Sequence, residues 1–298
     1  MKQLDIIGAQ MDIGASKRGV SMGPAAIRYG GLIEGLRKEG RTVCDLGDLI
    51  PLRDGATRDD MRNYEQVVDM DHKLYDVVTD ILSKGHFPIV LGGDHSVSAG
   101  SVEASAKHYE NEGGIGLIWI DAHGDWNNDK STETGNMHGM PFSAVCGYGP
   151  DCMVDFGQGT VFVDVRKCVQ IGGRDIDREE RVRMKEAGVT VFPINIVDQM
   201  GMHDVIKQAI DIAGSGTAGI HLSFDIDAIT PEAAPGTGTV VHSGLTAREG
   251  FLAVETLAET GMLVSMDMVE VNPILDEHNK TGILASELIQ SALGKIVF

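Results

Sequence analysis

Short apolar runs that end in ionisable residues recur along the chain and alternate with stretches whose apolar residues fall at helical spacing. Leu4 to Ile7 predicts a first strand, followed by a glycine-rich connection, GASKRGVSMGP. Pro24 has no amide hydrogen to lose, so it suits the first turn of a helix running through AAIRYGGLIEGLRKEG. Thr42 to Leu46 predicts a second strand. From Tyr64 to Lys84, the residues Val67, Val68, Leu74, Val77, Val78, Ile81 and Leu82 form one stripe, which predicts an amphipathic helix. His86 to Leu91 predicts a strand that runs into GGDHS, where paired glycines let the backbone turn tightly. Gly116 to Ile120 is apolar without alternation, the mark of a parallel strand buried on both faces. Val169 to Gly172, Val189 to Phe192, Gly219 to Phe224 and Leu263 to Val271 predict further strands. Met202 to Ala213 and Gly282 to Lys295 predict further helices.

Strands alternating with helices, without repeats or linkers, predict a single α/β domain over residues 1–298 with a mostly parallel sheet. Such sheets place ligands at the carboxyl ends of their strands, and the ionisable clusters stand there. Asp121, His123 and Asp125 follow Ile120 and alternate with Ala122 and Gly124. An extended segment turns all three toward one point, where they repel one another unless a cation sits between them. Taken alone, D-x-H-x-D fits a surface or loop-capping role equally well. His95 projects from the same sheet edge; by itself it also fits a core or helix-entry histidine. Asp225 and Asp227 form a second pair at a strand end, costly to bury without a counter-ion. The last strand carries Asp267 and Glu270. The polar segment from Asn127 to Thr134 has no core-forming pattern and suits a substrate-contacting loop, and His138 beyond it is an acid/base candidate. Arg174 to Glu180 reads as a charged helix N-terminus with a solvated face. Lys17 and Arg18 read as a solvated loop, or as a basic lip near the site.

Composition narrows the class of function. The 298 residues are 42% hydrophobic and 23% charged, the balance of a globular protein. No apolar run approaches the ~20 residues of a membrane helix, and the N-terminus lacks the features of a signal peptide, so a cytoplasmic protein is expected. Cys44, Cys146, Cys152 and Cys168 are scattered without a C-x-x-C pair and read as ordinary thiols. A net charge of −19 argues against nucleic acid or an anionic membrane as partner and is compatible with metals and a cationic substrate.

These motifs resemble the ureohydrolase family, which contains arginases and agmatinases. GGDHS at 92–96, DAHGD at 121–125, GNMHGMP at 135–141, SFDID at 223–227 followed by PGTGT, and VEVNP at 269–273 stand in family order and spacing. The resemblance implies a three-layer αβα sandwich around an eight-stranded, mostly parallel sheet, two Mn2+ per chain and a homo-trimer or homo-hexamer. It implies that His95, Asp121, Asp125 and Asp225 hold one manganese, and that His123, Asp227 and second contacts of Asp121 and Asp225 hold the other. Metals about 4 Å apart share and activate a water-derived nucleophile. The resemblance further assigns Glu270 to the guanidinium, Asp125 and His138 to proton transfer, Asn127, Thr134 and Asn136 to an α-carboxylate, and Asp177 and Glu180 to an α-ammonium. That last assignment replaces the solvated-face reading of Asp177 and Glu180. The implied reaction is hydrolysis of L-arginine to L-ornithine and urea.

Three other readings stand beside it. Agmatine or another guanidino compound is the substrate of a related ureohydrolase, a catalytically silent binding protein would have lost a ligand, and a single-zinc hydrolase of related architecture would lack the set that His123 and Asp227 complete. The sequence departs from the family pattern at Trp126, Thr134, Thr230, Val240 and Ser243, none of which is a predicted ligand.

Overall fold

The computed structural model describes residues 2–157 and 159–295, so the outermost residues of the predicted 1–298 domain, Met1 and 296–298, lie outside the described residues. The eight strands are β1 (Leu4–Ala9), β2 (Val43–Leu49), β3 (Phe87–Leu91), β4 (Ile115–Ile120), β5 (Cys168–Ile171), β6 (Thr190–Phe192), β7 (Gly219–Asp225) and β8 (Leu263–Val269). They form one sheet in the order β2-β1-β3-β8-β7-β4-β5-β6. Every pairing between neighbours is parallel.

The helices are α1 (Gly23–Tyr29), α2 (Leu32–Lys38), α3 (Tyr64–Ser83), α4 (Ser98–His108), α5 (Pro141–Val145), α6 (Arg178–Ala187), α7 (Ile194–Met200), α8 (Met202–Gly214), α9 (Ala247–Thr260) and α10 (Lys280–Ala292). They cover both faces of the sheet, which gives the predicted αβα sandwich. Strand residues alternate between the two faces, as the period of two requires. Leu4, Ile6, Ile89, Leu91, Ile118, Ile120, Met266 and Met268 pack with α1, α2, α8, α9 and α10. Ile7, Ala9, Val90, Leu117, Trp119 and Val269 pack with α3, α4 and α5.

The predicted first helix is two helices. Gly31 adopts φ +89°, a conformation that a helix cannot continue through. Gly30 lies against the Gly282 carbonyl, which a Cβ there would approach to 2.7 Å. The chain bends at this glycine pair and α10 packs into the bend. Helices α4 and α9 were not legible as helices. The first is built from serine, alanine and glycine, and Ser98 to Ala106 are all buried, so it shows no apolar stripe.

The four central strands, β3-β8-β7-β4, are neighbours in the sheet. His95, Asp121, Asp225 and Glu270 each stand at or just beyond the carboxyl end of one of them. The topology therefore brings to one edge residues that are 175 positions apart in the chain.

Candidate metal centre and substrate pocket

His95 Nδ1 lies 3.1 Å from a carboxylate oxygen of each of Asp121, Asp125 and Asp225. On its other side, Nε2 lies 2.9 Å from the Ser223 hydroxyl. Nδ1 therefore meets three acidic oxygens at once, a convergence that is costly unless a positive charge stands among the four atoms, either a proton on the imidazole or a metal cation. Burial lowers the His95 pKa, but the three carboxylates lift it well above its usual value. A second convergence lies beside it, with His123 Nδ1 3.1 Å from Asp227 Oδ2 and 3.4 Å from Asp121 Oδ1. His95, Asp121 and Asp225 form one group whose donor atoms all lie within 4.8 Å, and Asp121, His123 and Asp227 form another. Asp121 belongs to both; Asp225 belongs to the first. Oxygen and imidazole donors of this kind suit a divalent metal that does not require soft thiolate ligands. Asp125 Oδ2, Asp227 Oδ2 and His123 Nε2 are buried without a hydrogen-bond partner among the described residues, which fits groups meant for an ion.

The cluster is electrostatically tense. Burial, with the charges of Asp227 and Asp121 beside it, pushes the Asp225 carboxyl well above its usual range. Burial and Asp121 raise Asp125 to about 6. For Asp121, burial is outweighed by hydrogen bonds and charge from His123 and His95, and its carboxyl is held below the usual range. Backbone strain accompanies this tension. Asp125 (φ 48°) and Glu270 (φ 63°) both adopt the left-handed conformation that favours glycine.

Glu270 faces the cluster. Its Oε1 accepts from the His95 amide (3.0 Å) and pairs with His138 Nδ1 (3.1 Å), whereas no described donor reaches Oε2. Burial lowers the His138 pKa, but its bond to Glu270 and the charges of Glu270, Asp94 and Asp125 lift it to about 9. A cavity of about 260 Å³ opens outward from here, and every predicted substrate residue lines it: Asn127, Thr134, Asn136, Asp177 and Glu180.

Two of these residues hold the site together as well as line it. Asp177 is the N-cap residue of α6, the predicted charged helix start, and Asn127 Nδ2 donates to its carboxylate at 3.3 Å. Glu180 is buried rather than solvated, and its oxygens accept from the backbone amides of Trp126 (2.6 Å) and Asp177 (3.2 Å). Burial raises its pKa to about 8.

Four supports were missed from the sequence. Arg174, read as part of a solvated face, instead donates to the carbonyls of His242, Gly172, Ala228, Asp227 and Val241, closing the loop that carries Asp227. Gln170 Nε2 donates to the Asp121 and His123 carbonyls (2.9 and 3.0 Å), and its signal was a polar side chain inside an apolar strand. Trp119 Nε1 donates to Asp121 Oδ2 at 3.0 Å. Ser16 exchanges hydrogen bonds with Asn136 across the pocket mouth. Of the two predicted basic residues nearby, Arg18 pairs with Asp12 at 2.7 Å.

The Arginase family model matches residues 2–294. The chain belongs to the Arginase family. This arginase-family protein is 43% identical over 295 residues to a curated arginase of Brevibacillus brevis, covering 98% of each chain. Its fold is similar to that of Bacillus caldovelox arginase, with a TM-score of 0.95 and 40% identity over 100% of both chains. An Entamoeba histolytica arginase solved in complex with L-ornithine matches with a TM-score of 0.88 at 27% identity, over 99% of each chain. Membership makes the chain a hydrolase with a metal cofactor, for which the two groups sharing Asp121 offer the donors. No helix among the described residues is long and apolar enough to cross a membrane.

Proposed function

We propose that this chain is an arginase, hydrolysing L-arginine to L-ornithine and urea with two manganese ions. His95, Asp121, Asp125 and Asp225 would hold one ion, and His123, Asp227 and the shared Asp121 and Asp225 the other. The observation that carries this reading is the pair of histidine–carboxylate convergences joined at Asp121, with the free oxygen of Glu270 beside them. When bound, the metal pair supplies a water of lowered pKa at the floor of the pocket.

The chain's own residues do the rest. A guanidinium resists attack because its charge is delocalised, so it must be fixed in place before it can react. Glu270 Oε2 has no competing donor among the described residues and is the acceptor offered to it. Oε1 is already tied to His95 and His138, so the carboxylate cannot rotate away. Asp125 lies on the attacking side and would take the proton of the nucleophile and pass it to the departing amine. His138, kept protonated at neutral pH by Glu270, stands ready to supply the second proton, the one that turns the released amine into an ammonium. At the far end, Asn127, Thr134 and Asn136 offer neutral donors to the α-carboxylate. Asp177 would receive the α-ammonium, with Glu180 behind it acting through water.

A second reading has one observation in its favour. Glu133 and Asp175 also line the cavity, so acids there outnumber what an α-ammonium needs, and agmatine lacks the carboxylate they would repel. The two readings separate on urea release by manganese-loaded protein given L-arginine or agmatine, with a chelated control. Turnover of arginine that manganese restores after chelation supports the proposal. Turnover of agmatine alone removes the α-group assignments, and activity undiminished by chelation removes the metal centre. By the same family likeness we assign the protein to the cytoplasm, as a homo-trimer or homo-hexamer of a single catalytic domain.

A further inference from the structure

Behind His95 lies a second polar cluster that the proposed reaction does not use. The register of β7 with β8 sets His221 beside Ser265 and Ser223 beside Asp267. These four side chains form a two-by-two polar patch on two central strands whose other face, with Ile220, Leu222, Phe224, Met266 and Met268, is wholly apolar. Opposite the patch, α4 presents Ser98, Ser101 and Ser105, a spacing that puts all three on one helix face. All seven residues are at most 1% exposed.

Hydrogen bonds join five of the seven side chains, and the Ser101 hydroxyl, 3.2 Å from the Ser98 carbonyl, links them to the backbone of Ser98, while Asp267 Oδ1 is buried with no partner among the described residues. Ser101 Oγ donates to Asp267 Oδ2 at 2.8 Å, and His221 Nε2 donates to the same oxygen at 3.0 Å. His221 Nδ1 then accepts from Ser265 Oγ at 2.7 Å, and Ser265 Oγ accepts from Ser105 Oγ at 2.9 Å. Nearer the centre, Ser223 Oγ lies 2.9 Å from His95 Nε2 and 3.1 Å from Ser98 Oγ. A buried network of this kind is favourable only when its members meet.

The position of the network suggests its purpose. Helix α4 offers few large apolar side chains to lock it along its axis, and a slip by one residue moves it about 1.5 Å. Such a slip would strand Ser101, Ser105, Asp267 and Ser265 together. The turn that precedes α4 carries His95, and the two strands bearing the patch end in Asp225 and Glu270. We propose that Ser101, Ser105, His221, Ser265 and Asp267 act as a register clamp that sets the height of α4, and so of His95, against Asp225 and Glu270. These are positioning residues, and the property they set is the affinity of the metal position that His95 serves. This inference rests on the two-metal reading above.

The test is manganese affinity by chelator competition, measured with the thermal stability of the metal-free protein. Ser101→Ala with Ser105→Ala removes two donors yet keeps helix-favouring residues. Removing a group bonded directly to a ligand weakens metal binding by about 10–100-fold, and Ser101 and Ser105 stand one contact further out, so a loss of about 10-fold is expected. The expected result is that loss at one position while the other is unchanged. In a His123→Asn background, which leaves the His95 position, the double variant should lose its remaining manganese. In a His95→Asn background it should change nothing. If the double variant does not fold, Asp267→Asn keeps the shape and one acceptor and should give a smaller loss at the same position. Equal weakening of both positions, or unchanged affinities despite lowered stability, would overturn the clamp. A wild type that takes up no manganese is a different result, and overturns the metal reading itself.

Discussion

Replacing Gly124 by alanine tests how the metal-bearing loop is held. A Cβ at this position would lie 2.6 Å from Glu180 Cδ and 2.8 Å from each of its carboxylate oxygens. Contacts that short cannot persist, and the side chain that must yield is the one whose oxygens cover the amides of Trp126 and Asp177. The Trp126 amide is buried and its loss of an acceptor costs about 1–3 kcal/mol, whereas water reaches the exposed Asp177, so displacement of Glu180 should cost about 1–3 kcal/mol. Glu180→Ala uncovers the same two amides but leaves room for the methyl group that Gly124→Ala adds. The combined variant should therefore be no less stable than Glu180→Ala alone, far short of the sum of the two single losses. Urea denaturation of the four metal-free proteins gives the cycle directly. Gly139→Ala is the control, because nothing lies within 4 Å of its added Cβ and its stability should match wild type. Strict additivity, or a Gly124→Ala protein within about 0.5 kcal/mol of wild type, would refute the reasoning.

Three further outcomes are expected. His138→Asn should lower the turnover number by about 10²–10⁴-fold while manganese content holds; loss of metal instead would make the residue structural. Asp177→Ala should raise KM for arginine far more than for agmatine and also cost about 1 kcal/mol of stability as a lost helix cap, and equal losses on both substrates would remove it from the α-ammonium. Glu103 is buried on α4, accepts from the Val161 amide and is raised by burial from 4.5 to about 8. Because the folded pKa is the higher one, its contribution is fully present below about 4.5 and is lost as pH rises toward about 8. Glu103→Gln should therefore flatten the fall in melting temperature between pH 5 and pH 8, and parallel curves would contradict this.

The candidate ligands were legible because each follows an apolar run, and an apolar run that ends in carboxylates identifies both a strand and its exit. Asp121 and Asp125 alone fitted a loop-capping role equally well, and it was the second pair, Asp225 and Asp227, and the resemblance to the family that favoured a metal. On local pattern alone Glu180 and Arg174 read as solvated, a reading that the family resemblance replaced for Glu180 only, and the reason is shared: both lie in a charged segment, and charge in sequence normally means solvent. The structure turns them inward because backbone groups await them, two amides for Glu180 and five carbonyls for Arg174. Helix α4 escaped for the opposite reason. Its buried face is polar, so the periodicity that marks a helix was carried by serines, whose partners Ser223, Ser265 and Asp267 lie more than a hundred residues away. Local pattern records what a segment hides from water, and it cannot record a polar group hidden by distant partners.

The same distinction explains why the carboxylates tolerate one another. Four aspartates and Glu270 are buried within one strand-end cluster, and burial with mutual repulsion makes ionised Asp225 and Asp125 costly. The fold does not relieve this by moving them apart. It holds them with Trp119 on Asp121, Arg174 and Gln170 on the loop carbonyls, and strained backbone at Asp125 and Glu270. Groups that would separate if free are kept converging, and the repulsion stored in that convergence is available to favour a cation. Metal affinity and folding then draw on the same contacts, so each support of the loops also sets how tightly the centre binds.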